Sequence, residues 1–334
     1  MVLDALLILT LSFVPVFLYI LILWGLDRYE KEPSLLLIAA FVWGAIPSVI
    51  LALIMQVALD VPIVAISPNQ LTYDLLGSSV VAPLTEEVVK AAALVLLLLF
   101  LQREIDSPVD GLIYGGVVGF GFAAVENMFY LFGAYTEGGV GNVLSLAFLR
   151  AGVFGLNHAM YTGFTGVGAA LALEVKSRWL RPIPALGGLA LGVGSHALHN
   201  GLATMTSYTG PASFLIAVLA DWTGVLVLLG VALAAFVMER RRIVRYGETL
   251  VKHGVLPRAQ VEVLKSTLRR RIARLNRLMS GDLTGWRTMW RYQRAVTEAA
   301  FAWHRVNQGQ TQARPRLDKL EARVRTLWGA LESE

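Results

Sequence analysis

The chain has 334 residues, of which 56% are hydrophobic and only 16% are charged, and its formal net charge is +5. A soluble domain is about 45–50% apolar and about 25% charged, so this composition excludes an ordinary water-soluble enzyme and indicates a membrane protein. The sequence contains no cysteine, which excludes disulfides, thiolate metal sites and a cysteine nucleophile.

The apolar residues are concentrated in runs of about 20, the length that an α-helix needs to cross ~30 Å of hydrocarbon. The sequence therefore predicts an all-α bundle of seven transmembrane helices, at about 3–26, 34–58, 77–101, 110–133, 147–173, 184–206 and 212–238. We expect the first span to be retained, because it lacks the basic start and the cleavage site of a signal peptide. Pro83 interrupts the third span, so we expect that helix to be broken or to start late.

Lys and Arg residues occur in alternate loops, and this pattern predicts the orientation. The basic residues of the loops after spans one, three and five are Arg28, Lys31, Arg103, Lys176, Arg178 and Arg181. Loops 59–76, 134–146 and 207–211 contain neither residue type. Because basic loops stay in the cytoplasm, we expect the N-terminus outside and the C-terminus in the cytoplasm.

The chain divides into a transmembrane domain, 1–238, and a basic cytoplasmic tail, 239–334, which carries 21 Lys and Arg against 9 Asp and Glu. Apolar residues at helical spacing, with breaks at 254–257, 280–285 and 308–315, predict three helices in the tail. A basic segment beside a membrane favours anionic lipids as partners. A soluble appendage with a solvated basic face is the alternative, and no nucleic acid is expected.

Ionisable side chains within the predicted spans are the strongest signal of function. Such a residue costs roughly 2.5–3.5 kcal/mol at the centre of a span and usually faces the bundle interior. Those well inside the spans are Glu86, Glu87, Lys90, Glu126, His158, His196, His199 and Asp221. At ~1.5 Å per residue, Glu86 and the later members of spans four to six all fall ~10–17 Å below the outer surface. The sequence therefore predicts one polar site in the outer half of the bilayer, while Asp221 in span seven is interpreted as structural or interfacial.

Two hydrolytic chemistries suit such a group. Histidine and carboxylate can bind a divalent metal, as in catalytic zinc sites, or a Glu can activate water while His or Asn stabilises the oxyanion. Proton-coupled transporters use similar groups, so a seven-helix transporter is the main alternative, and a non-enzymatic membrane sensor is another. The H-E-x-x-H, G-x-G-D and G-x-S-x-G patterns of other proteases are absent from the sequence.

Four segments in chain order resemble the motifs of the PrsW family. Residues 82–90, A-P-L-T-E-E-V-V-K, resemble its E-E-x-x-K motif, and residues 119–127, G-F-G-F-A-A-V-E-N, resemble its G-F-A-x-x-E-N motif. H-A-M-Y-T-G at 158–163 and H-A-L-H-N at 196–200 resemble its two histidine motifs. The resemblance covers about residues 20–206.

PrsW proteins are bacterial intramembrane proteases, usually classed as metalloproteases, that cleave a membrane-bound anti-sigma factor at site 1, on the outer side. The resemblance implies Glu86 and Glu87 as the general base and its partner. It further implies catalytic-site roles for Lys90, Glu126, Asn127 and Asn200, and metal ligation or oxyanion stabilisation by His158, His196 and His199. Lys90 is interpreted chiefly as the charge partner of a Glu. The implied metal is a divalent ion such as zinc, and the implied location is the bacterial cell membrane.

The PrsW family is distantly similar to the CAAX-type prenyl endopeptidases, for which a glutamate-dependent, metal-free mechanism has been proposed. Their E-E-x-x-x-R motif places the basic residue one position later than Lys90. Both the metal and the metal-free chemistry therefore stay open.

Overall fold

The structure is a computed structural model that describes residues 2–26, 28, 29, 31–105 and 107–333, apart from the side chain of Arg103. The described residues contain no strand, and nearly all of them lie in helices. This confirms the predicted all-α class. Contacts divide the chain into two units, the first containing residues 1–26 and 32–232 and the second containing 27–31 and 233–334.

The first unit is built from long helices joined by short π-helical turns. In the described part of the chain its helices are α1 (Val2–Leu26), α2 (Ser34–Trp43), α3 (Val49–Ile66), α4 (Gln70–Leu76), α5 (Ala82–Phe100), α6 (Pro108–Ala147), α7 (Asn157–Glu174), α8 (Pro182–Thr209) and the first part of α9 (Pro211–Lys252). The π-helical turns are Gly44–Ser48, Gly77–Val81 and Phe148–Val153.

Within the described residues, four helical stretches are long and apolar enough to cross a membrane: Val2–Leu26, Ser34–Ile66, Pro108–Glu174 and Pro211–Lys252. They contain the first, second, fourth, fifth and seventh predicted spans. The other two predicted spans correspond to α5 and α8. Three ionisable residues lower the hydropathy of α5, and glycine and polar residues lower that of α8. The chain is thus a multi-pass membrane protein, and the count of seven helices stays a prediction.

Irregular backbone lies on both sides of the predicted site. Regular α-helix in the third span starts late, at Ala82, after the π-turn Gly77–Val81; Pro83 then lies in the first turn of α5, where its missing N–H is not needed. The fifth predicted span is interrupted at 154–156, so that His158 lies in the first turn of α7. Single π-turns of this kind are frequent at functional sites.

Glycines bring the backbones of α6 and α7 into direct contact. A Cβ added to Gly111 would clash with the carbonyl oxygen of Gly166, and one added to Gly166 would clash with that of Gly111. A Cβ on Gly119 would clash with the carbonyl oxygen of His158. Small residues permit such an approach, and here it places Glu126, in the middle of α6, beside His158 in the first turn of α7.

Gly166→Ala should destabilise the first unit by about 1–3 kcal/mol, because the new methyl group has no space between the two backbones. Gly187→Ala on α8 is the matched control, since no atom lies within 4 Å of its added Cβ. The control should be neutral or slightly stabilising, because alanine favours a helix over glycine by roughly 0.5–1 kcal/mol. Thermal unfolding in detergent measures both, and equal midpoints would contradict the packing argument.

The second unit is also helical. It contains the end of α9 together with α10 (Arg258–Leu264), α11 (Thr267–Met279), α12 (Leu283–Asn307) and α13 (Arg314–Ser333). The three predicted breaks are confirmed, but the prediction of three tail helices is wrong. Segment 258–279 is split because the side chain of Ser266 accepts a hydrogen bond from the backbone N–H of Arg269 and so begins a new helix.

Candidate active site

The predicted site residues of α5, α6, α7 and α8 lie around one cavity of about 610 Å³ in the first unit. The predicted residues that line this cavity are Glu86, Glu126, Asn127, His158, His196, His199 and Asn200. Glu87 and Lys90 lie behind the wall with no exposed surface. The structure therefore brings together, from four helices, polar residues that are far apart in the sequence.

The ammonium group of Lys90 lies at the centre of the buried part of the site. Its Nζ is 2.7 Å from Glu87 Oε1, 3.1 Å from His158 Nδ1 and 3.4 Å from Glu86 Oε2. The ring of Phe122 covers it, with the ring centroid 3.8 Å from Nζ. These contacts use all three protons of the ammonium group. Spacings of three and four residues on α5 place both carboxylates on the Lys90 side, as its interpretation as a charge partner predicted.

Glu86 and Glu87 have different surroundings. Both oxygens of Glu87 have hydrogen-bond partners. Thr162 donates to Oε2 at 2.9 Å. Oε1 binds Lys90 and also lies 3.1 Å from His196 Nδ1. Glu86 faces the cavity, and its Oε1 accepts a hydrogen bond from Gln56 Nε2 at 3.2 Å. Of the two adjacent carboxylates, only that of Glu86 is therefore directed towards the cavity.

His158 connects Lys90 to a second ion pair. Its Nε2 is 2.7 Å from Glu126 Oε2, and Arg150 Nη2 lies 2.5 Å from the same oxygen. Because an ammonium group can only donate and a carboxylate accepts, His158 carries its proton on Nε2 and accepts on Nδ1. Arg150 also donates to Asn127 Oδ1 at 2.7 Å. Sequence reasoning missed Arg150 as a site residue, although it is the one basic residue near the outer edge of a predicted span.

His199 belongs to a separate group with Asp221 of α9. Its Nδ1 is 2.7 Å from Asp221 Oδ2, and Asn157 Nδ2 donates to the same oxygen at 2.9 Å. His199 is therefore not among the residues whose ligand atoms lie within 4.8 Å of one another, although it lines the same cavity as His158 and His196. Asp221 is 3% exposed, so it is a buried member of the site. The sequence singled out Asp221 as an ionisable residue within span seven, but its contact with His199 follows only from the structure.

Asn200 reaches the π-turn between α4 and α5. Its Nδ2 donates to the carbonyl oxygen of Ser78 at 2.9 Å, which leaves its second amide proton available. The side chain thus holds the start of α5 against α8. His196 is held by the ring of Tyr161, which stacks on it at a centroid distance of 4.5 Å.

Four of these residues fit a divalent metal in donor type and spacing. Glu86, Glu87, His158 and His196 each offer one ligand atom, and these atoms all lie within 4.8 Å of one another. Imidazole and carboxylate are donors that zinc accepts. Three of the four residues also bind Lys90 Nζ, so the ammonium group must withdraw when an ion occupies this position.

Lys90→Met should strongly destabilise the first unit, because it leaves two buried carboxylates without a cation. Breaking a buried ion pair by removal of one partner typically costs about 3–5 kcal/mol. Lys176→Met, at an exposed lysine of the same unit, is the control. Thermal unfolding in detergent should show a large fall in midpoint for Lys90→Met alone, and an unchanged midpoint would contradict the central role of Lys90.

Fold and geometry together define a class of protein: a multi-pass helical membrane protein with a buried carboxylate, histidine and lysine site. Residues 32–239 match the model of the PrsW family intramembrane metalloproteases, which is more than half of the chain, and the chain belongs to this family. The resemblance found in the sequence is thereby confirmed.

One curated relative is the protease PrsW of Clostridioides difficile (strain 630). It is 35% identical over 122 residues, which are 36% of this chain and 49% of the relative. The match thus spans about half the length of that relative. No solved structure matches the chain.

Proposed function

We propose that this protein is an intramembrane endopeptidase that hydrolyses a peptide bond of a membrane-bound protein by means of a Glu-activated water molecule. The observation that carries the proposal is the arrangement of Glu86, His158 and His196 around one cavity, with Lys90 and Glu87 buried behind Glu86. Membership of a protease family supports the same reaction class.

Glu86 is the proposed general base. A base must reach the proton that it abstracts, and Glu86 is the member of the adjacent pair that lines the cavity. Glu87 is the proposed positioning residue, because its oxygens are occupied by Lys90, His196 and Thr162. In the metal-free form of the reaction, its role is to hold Lys90 and His196 in place while Glu86 accepts the proton of water.

The developing oxyanion needs N–H donors within the cavity. Arg150 and Asn200 both line the cavity, and the second amide proton of Asn200 is available for this task. His199 carries its proton on Nδ1, towards Asp221, which leaves Nε2 as an acceptor for a proton from water or from the substrate. Glu126 and Asn127 hold Arg150 and so complete this wall.

A divalent metal would be held by Glu87, His158 and His196, and two histidines with one carboxylate are a ligand set that zinc prefers. This set leaves Glu86 free to act as the base. When bound, the ion supplies Lewis-acid polarisation of water and of the scissile carbonyl group. His199 is not part of this proposed set, because it is bonded to Asp221.

The proposed substrate is a single-span membrane protein such as an anti-sigma factor, cleaved near the outer face of a bacterial cell membrane. The motif resemblance supports this substrate class, and the predicted depth of the polar residues supports the outer side. The distribution of basic loops supports an external N-terminus and a cytoplasmic C-terminus.

Cleavage of a co-expressed single-span substrate tests the proposed reaction. Glu86→Gln should lower the rate at least ~100-fold, the lower end of what a general base contributes, and Glu87→Gln and His199→Ala should also impair cleavage. Glu137→Gln, at an exposed carboxylate in the same unit, should be as active as the wild type. Immunoblotting of the substrate fragments measures the cleavage rate of all four variants. Undiminished cleavage in the three site variants would refute the assignment of these residues to the active site.

Elemental analysis and chelation test the metal. We expect the purified protein to contain about one zinc ion per chain, to lose cleavage activity on chelation and to regain it when zinc is restored. Combined Glu87→Gln and His196→Ala substitution should abolish the bound ion. Full activity in a metal-free preparation would contradict the metal and favour water activation by Glu86 alone.

A further inference from the structure

A small cavity in the second unit is lined mainly by positive charge. Its volume is about 90 Å³. Its cationic lining residues are Arg28, Lys31, Arg270, Arg271, Arg274 and Arg294. None of the described residues that line it is acidic. A volume of this size holds a phosphate group with a few water molecules, but it is too small for a whole lipid.

Only some of these cations have an ion pair or a hydrogen bond within the protein. Arg294 donates to Glu298 Oε1 at 2.7 Å, and Arg270 is anchored through the carbonyl oxygen of Gln293 at 3.0 Å. Among the described residues, Arg28, Arg271 and Arg274 have no ion pair or hydrogen bond. One face of the Arg28 guanidinium group lies over the ring of Phe236, 4.9 Å from its centroid, and the N–H groups of all three residues are available to an anion.

The crowding of like charge in this cavity is unfavourable in the protein alone. Burial, and then the charge of Arg271, lower the pKa of the Arg274 guanidinium group. A phosphate group would relieve this repulsion, because guanidinium groups bind phosphate through paired, charge-assisted hydrogen bonds.

Chain connectivity places one side of the cavity close to the bilayer. Arg28 follows the end of α1 at Leu26 by two residues, and Lys31 precedes the start of α2 at Ser34 by three. Both helices begin or end candidate membrane spans. At no more than ~3.5 Å per residue, Arg28 and Lys31 lie within about 10 Å of a span end, which is the level of lipid headgroups.

The helix that carries Arg271 and Arg274 also presents an apolar face to the outside. Besides Leu278, which is 44% exposed, its exposed apolar residues are Leu268, Ile272, Leu275 and Met279, which are 65%, 47%, 53% and 79% exposed. Their spacing of four, three and four residues puts them on one side of α11. A basic helix with such a face is typical of helices that lie in the membrane interface. Binding of a free phosphate ion would leave this apolar face exposed to water.

We propose that Arg28, Arg271 and Arg274 bind the phosphate headgroup of an anionic phospholipid, while the apolar face of α11 lies among the acyl chains of the same leaflet. The cavity supplies the charge that selects the headgroup, and the helix face supplies the contact that favours a lipid over a free anion. This site lies in the second unit, so its test is independent of the proposed peptidase reaction.

Hydrogen exchange of the full chain in lipid nanodiscs tests the site. Residues 267–279 should exchange several-fold more slowly in nanodiscs that contain phosphatidylglycerol than in phosphatidylcholine alone. Native mass spectrometry of the same samples should show a retained phosphatidylglycerol molecule. The double variant Arg271→Gln with Arg274→Gln should weaken this binding roughly 30-fold, because each basic residue near the surface contributes ~1 kcal/mol.

The matched control is Arg323→Gln with Arg325→Gln, which removes the same charge from exposed positions on α13 and should leave the slow exchange intact. In lipid-free detergent, the cavity variant should unfold at the same midpoint as the wild type or a higher one, because it relieves like-charge repulsion. Inorganic phosphate alone should not slow exchange in residues 267–279. Equal exchange in the two lipids, equal losses in both double variants, or full protection by inorganic phosphate would each overturn the proposal.

Discussion

The adjacent carboxylates of Glu86 and Glu87 are buried in an apolar bundle with the ammonium group of Lys90 between them. Two ionised carboxylates on neighbouring positions would otherwise repel each other and lose their hydration. The charge of Lys90 offsets the repulsion and replaces the lost hydration of both carboxylates. Lys90 also fixes the ring of His158, because His158 Nδ1 accepts a hydrogen bond from the ammonium group. The positions of Glu86, Glu87 and His158 therefore depend on this one cation, and His196 is tied to it through Glu87.

Close backbone packing makes that arrangement possible. Gly111, Gly119 and Gly166 allow α6 and α7 to approach without intervening side chains, and this brings Glu126 within hydrogen-bonding distance of His158. A methyl group at these positions would separate the two helices and break the connection from Arg150 through Glu126 to Lys90. The glycines serve the chemistry through packing, and no contact of theirs with a substrate is needed.

Much of the site could be predicted because ionisable residues in a membrane span are costly and therefore conspicuous. Glu86, Glu126 and His196 were found in this way, and a shared depth predicted that they would meet. The pairing of His199 with Asp221 and the link from Arg150 to Glu126 could not be found by that reasoning. Both depend on which way a side chain points across a helix interface, and spacing along one helix does not determine this.

The sequence by itself determined the membrane class, the all-α fold, the family motifs and the set of polar residues available for chemistry. These follow from composition and local periodicity, which need no knowledge of distant contacts. The tertiary structure alone decided that Glu86 faces the cavity while Glu87 is enclosed, that His199 belongs with Asp221, and that Arg28 joins Arg271 and Arg274. Such choices depend on the rotation and approach of whole helices, which many weak packing contacts set together.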